Sequence, residues 1–94
     1  MPEIKEISPL VVNAFSRKTK RAAEEIQELV DSKKDHLFNN LGMGPEAIDS
    51  ISGPLTRISK KYEGGISVPI SAIRNCETVT DCIELTTKRS NGKV

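Results

Sequence analysis

Apolar side chains recur three or four residues apart along three stretches of this chain, and no strand pattern competes with them. Val11, Phe15, Ala22, Ile26, Leu29 and Val30 form the first stripe. Ile51, Leu55, Ile58 and Tyr62 form the second, and Val79, Cys82, Ile83 and Leu85 the third. A helix repeats its face every 3.6 residues and a strand every two, so this spacing admits helix packed on helix and offers no half-buried sheet. The expected fold class is all-α: a small bundle of three main helices plus one short helix, with a long loop between the first and second main helices.

Ninety-four residues bound what such a bundle can enclose. A chain of this size buries only about 60–65% of the surface its unfolded form exposes, so its core is thin. One Tyr, two Phe and no Trp cannot fill that core and also line a deep apolar pocket. A carrier or binding module is favoured over an enzyme. Fourteen Lys and Arg against thirteen Asp and Glu give a net charge of +1, too even to indicate nucleic acid. The cluster Arg17-Lys18-Thr19-Lys20-Arg21, followed by Glu24, Glu25, Glu28 and Asp31, reads as a solvated helix face with pairs such as Arg21–Glu25.

Cys76 and Cys82 lie far in sequence from the single histidine, His36, so no metal-ligand spacing forms. Met1-Pro2-Glu3-Ile4-Lys5-Glu6 carries charges where a secretory signal needs an apolar run, and no stretch approaches the ~20 apolar residues that span a bilayer. Reduced thiols in a cytoplasmic monomer are the expectation.

Along the chain, residues 1–7 read as a polar tail, and Ser8-Pro9 as a helix start with proline at the first position. Residues 16–21 contain no apolar side chain, which splits the first stripe, and Ala22–Lys34 is its firmer half. Residues 35–49 read as a loop pinned by Phe38, Leu41 and Met43. The second helix is expected from about Asp49 to Tyr62, stopped by Gly64-Gly65. Ile66–Pro69 is extended, Ile70–Ile73 has room for one or two turns, and Thr78-Val79-Thr80-Asp81 opens the last helix as a capping box. The division is an extension at 1–19, partly helical or flexible, a domain at 20–88 and a flexible tail at 89–94. The side chains expected in the core are Ile26, Leu29, Val30, Phe38, Ile51, Leu55, Ile58, Val68, Val79, Cys82 and Ile83.

With Asp49-Ser50-Ile51 at the head of the second helix, the chain resembles the acyl carrier protein family. That family attaches 4′-phosphopantetheine to the serine of an Asp-Ser-Leu type motif. Pro69 stands 19 positions after Ser50 and Val79 stands 29 after it, matching the family's proline before the short helix and its Thr-Val at the last. Thr78-Val79-Thr80-Asp81-Cys82-Ile83-Glu84 is similar to the family's signature there. The resemblance covers roughly residues 20–88. It implies that Ser50 carries the arm, that Asp49 is a helix cap and a contact for the modifying enzyme, and that Ile51 is read by partners through its apolar face. The arm comes from coenzyme A by way of a phosphopantetheinyl transferase, and the later partners are an acyl ligase, ketosynthase or acyltransferase. The carrier's own contribution is tethering, which raises the local concentration of an acyl intermediate. No catalytic group is expected on it. Both cysteines fall at small or apolar family positions and are expected to pack as hydrophobes.

Three features depart from the family pattern. Ser52-Gly53-Pro54 means that either the regular helix starts near Ser52 or its first turn is distorted, since proline in a helix interior costs up to ~3 kcal/mol. Leu41-Gly42 stands further ahead of Ser50 than the family's Leu-Gly does. The second helix is net basic, with Arg57, Lys60 and Lys61 against Glu63; these three cations are the candidates for partner docking, and partners built for an acidic carrier would be repelled. A specialised stand-alone carrier for fatty-acid, polyketide or related synthesis is implied. The competing reading is a non-enzymatic helical adaptor that has a carrier-like fold and no phosphopantetheine.

Overall fold

A computed structural model covering residues 1–94 places the chain in six helical segments: α1 (Ile4–Thr19), α2 (Ala23–Asp31), α3 (Pro45–Ser50), α4 (Ser52–Ser59), α5 (Ile70–Ile73) and α6 (Val79–Ser90). The fold is all-α. Helices α1, α4 and α6 pack on one another, α2 lies on α1, and α5 bridges α3 and α6. The only strand-like pairing is one antiparallel bridge between His36 and Thr78.

The first helix begins earlier than its local signals indicate. Ser8-Pro9 does not start it; α1 runs from Ile4, and Pro9 sits inside it. The reason is tertiary. Ile7 is fully buried and continues the stripe of Val11, Val12, Ala14 and Phe15, so burial of one more aliphatic side chain, about 1.5–3 kcal/mol, offsets the missing hydrogen bond at the exposed Pro9. Residues 4–19 are thus an integral helix of the bundle and not an extension. The break without apolar residues is present: Lys20 takes a left-handed φ of 60° and ends α1.

Residues 35–43 carry the second difference. Phe38 is 63% exposed, and Leu37 is the buried side chain. The backbone settles this: Leu37 N–H donates to the Glu77 carbonyl (2.9 Å) and Val79 N–H to the Asp35 carbonyl (3.0 Å). That pairing bridges His36 to Thr78, which sets its two neighbours on the same side, and the chain turns from Leu37 onward. Asp35 and Leu37 turn inward, and Phe38 turns out. Leu29 and Val30 are only half-buried, packed at the margin of the core, whereas the other expected core residues are buried.

The last helix opens as its sequence indicates: the Thr78 side chain accepts from Asp81 N–H, and the Asp81 side chain accepts from Thr78 N–H. It runs on to a fully buried Ser90, and Asn91 Nδ2 donates to the Pro2 carbonyl at 3.0 Å. Residues 89–91 therefore belong to the folded body rather than to a tail.

Candidate functional site

The stretch expected as one helix from Asp49 is two segments meeting at Ile51. Gly44 and Pro45 start α3, with proline at the first position, where no N–H is needed. Ile51, fully buried, stands as the backbone N-cap of α4, and Ser52 is the first helical residue. Pro54 is then third in α4, still within the turn whose N–H groups have no intrahelical partner, so it breaks no bond. Of the two arrangements the sequence leaves open, a helix start at Ser52 is the one present.

Ser50 ends α3 and is exposed, and its Oγ donates to the Ala47 carbonyl at 2.7 Å. It is not in the first turn of a helix: the free N–H groups and positive dipole end of α3 lie at the other end, near Pro45. Ser52, two residues on, is half-buried, and its hydroxyl donates to the Val68 carbonyl at 2.6 Å. Ser50 is the more exposed of the two serines, and each hydroxyl donates to a backbone carbonyl.

Asp49 is not a helix cap. Its two carboxylate oxygens accept from Arg74 of the α5 C-terminus, Nε to Oδ1 at 3.3 Å and Nη2 to Oδ2 at 2.9 Å. That hydrogen-bonded pair holds the Asp49 carboxyl below its ordinary value. The forked contact spans α3 and α5 at the rim of an open cleft of about 290 Å³ lined by Pro45, Ile48, Asp49, Arg74 and Cys76. Arg74 was not legible as a site residue, because 25 residues separate it from Asp49 and no local pattern joins them.

Cys76 is half-buried at that cleft, and Cys82 lies fully buried beneath it; both are free thiols. A hydrogen bond from the Cys82 thiol pulls Cys76 down and, with burial, pushes Cys82 up.

The three cations expected at a docking face separate. Arg57 and Lys61 line a groove of about 450 Å³ between α1 and α4, floored by Ala14, Pro54 and Ile58; Lys60 is exposed outside it. Arg17 and Lys18, read from sequence as part of a solvated helix face, line the opposite wall. The Arg21–Glu25 pair expected there is present at 3.2 Å.

No family model, no characterised protein and no solved structure matches the chain.

Proposed function

We propose that the protein is an acyl carrier, with a phosphopantetheine arm on Ser50 and acyl groups held on the arm's terminal thiol as thioesters. The observation that carries this reading is the exposed Ser50 hydroxyl at the α3–α4 junction, between a buried Ile51 and an Asp49 anchored on Arg74. A serine so placed is open to a transferase while its neighbours keep the backbone in position. The cleft of Pro45, Ile48 and Cys76 next to Asp49 offers the arm a partly apolar surface to lie against. In this reading the chemistry is done by partners: a transferase first, then a ligase, ketosynthase or acyltransferase. No helix is long and apolar enough to cross a membrane, and a cytoplasmic setting belongs to the same proposal.

One observation favours a second reading. The Ser50 hydroxyl already donates to the Ala47 carbonyl, and the residue ends α3 rather than standing in the first turn of a helix. In that reading the chain is a helical adaptor and Ser50 stays unmodified.

Intact mass separates the two. Incubation with coenzyme A and a broad-specificity phosphopantetheinyl transferase should add one arm to the wild-type chain and to Ser52→Ala, and none to Ser50→Ala. A wild-type chain that gains no mass, while a known carrier in the same tube is fully loaded, rules out the carrier reading and leaves the adaptor.

A further inference from the structure

The groove between α1 and α4 gathers Arg17 and Lys18 from one wall and Arg57 and Lys61 from the other. All four are exposed, and none has a carboxylate partner: the two ion pairs of the molecule are Arg21–Glu25 and Arg74–Asp49. No acidic side chain lines the groove. In a chain whose net charge is only +1, four unpaired cations around one concavity make a local positive field that the walls focus.

Arg17 and Lys18 fall in the last turn of α1, and Arg57 in the last turn of α4. Each thereby complements the carbonyl end of its own helix. That accounts for a cation at either helix end separately. It does not call for both sets to face each other across a shared groove, nor for Lys61, which lies beyond the end of α4. The floor decides the kind of ligand. Ala14 and Ile58 are 2% and 6% exposed and Pro54 is half-buried, so on the floor only Pro54 is partly open, and the charged groups that a ligand can reach are the four cations. Arginine forks and lysine ammonium groups together suit phosphate oxygens.

We infer that the α1–α4 groove is a binding site for a ligand carrying two or more clustered phosphate groups, held by Arg17, Lys18, Arg57 and Lys61. The site is independent of Ser50 and of whether that residue is modified.

The test uses the full chain and inorganic tripolyphosphate as probe, followed by amide chemical shifts and calorimetry at low and at physiological salt. Shifts should concentrate in residues 14–18 and 54–61, and affinity should fall at least tenfold between the two salts. Arg17→Glu with Lys61→Glu should weaken binding at least tenfold with an unchanged helical melt. Lys33→Glu with Lys34→Glu, the same charge change at exposed sites outside the groove, should weaken it less than threefold. Equal losses from both double variants, shifts spread over the whole surface, or equally tight binding of a polyglutamate peptide would each overturn the site. Vesicles of phosphatidylcholine with and without a bisphosphorylated inositol lipid identify the source. Sedimentation with the phosphorylated vesicles alone assigns a lipid headgroup, and tripolyphosphate binding without sedimentation assigns a soluble phosphate compound.

Discussion

Asp35 ties the loop before α3 to the first turn of α6. Its Oδ2 accepts from Thr80 N–H at 2.9 Å and from the Thr80 hydroxyl at 2.7 Å, with the residue 4% exposed. It therefore satisfies a helix-start donor that the Thr78–Asp81 box leaves free, with its charge at the favourable end of the dipole. Asp35→Ala should cost about 1–2 kcal/mol in urea unfolding, the scale of a lost cap, and Asp35→Asn less. Asp49 has a different signature. Because its hydrogen bond to Arg74 holds its folded pKa below the ordinary 3.8, the folded chain takes up that proton later than the unfolded chain. The pair's contribution is complete above the unfolded value and disappears as pH falls through the folded one. Arg74→Met should raise the midpoint of the Asp49 carboxyl in a carbon-detected titration; an unmoved midpoint would show that Arg74 is not the cause. The difference in legibility between these residues is one of range. Thr78 and Asp81 could be paired from sequence because three positions separate them, and Ser50 could be singled out by its neighbours. Asp35–Thr80 spans 45 positions, and the choice of Leu37 over Phe38 as the inward residue depends on that same distant pairing.

Helix α4 shows what an element does beyond burying a stripe. Leu55 and Ile58 face the core, while Ser52, Thr56 and Ser59, spaced one turn apart, face the extended segment 66–68. Ser52 donates to the Val68 carbonyl at 2.6 Å, Ser59 donates to the Ile66 carbonyl at 2.6 Å, and Thr56 Oγ1 accepts from Val68 N–H at 2.9 Å. The ladder supplies partners for a segment that belongs to no sheet. Thr56→Val keeps the shape and removes the acceptor, so it should cost about 1–3 kcal/mol and speed hydrogen exchange at the Val68 amide selectively. The turn that returns the chain to this ladder depends on Gly65, where a Cβ would overlap the Ser59 carbonyl. Gly65→Ala should therefore destabilise more than Gly53→Ala, whose added Cβ meets only the tip of the Arg57 side chain, at 4.0 Å; thermal melts of the two variants make the comparison. The helix expected to run to Tyr62 and stop at Gly64-Gly65 ends earlier, at Ser59, and residues 60–64 form the turn that follows. The ladder was not legible, because three hydroxyls on a helix face read as a solvent face until the extended segment is known to lie over it.

At the scale of the whole molecule, the sequence reading and the structure part most clearly over residues 1–19. The resemblance to carriers begins near residue 20, and the charged start of the chain with Ser8-Pro9 inside it placed the domain boundary there. Yet Ile7, Val11, Val12, Ala14 and Phe15 supply five of the seventeen residues in the hydrophobic core, and α1 packs on α2, α4 and α6 alike. Removing α1 would expose the inner faces of all three, leaving Ile26, Leu55 and Ile83 without the wall they pack against. Single substitutions gauge the scale. Phe15→Ala should cost about 3–5 kcal/mol, and Ile26→Ala or Ile83→Ala about 2–5, against a total of roughly 5–15 for a domain. A fragment starting at residue 20 should consequently lack a cooperative thermal transition and bind a hydrophobic dye, whereas the full chain melts in one step. It should also lose one wall of the basic groove, since Arg17 and Lys18 leave with α1. A fragment of residues 20–94 that melts cooperatively, with a midpoint within a few degrees of the full chain, would show that α1 is an addition to a bundle complete without it.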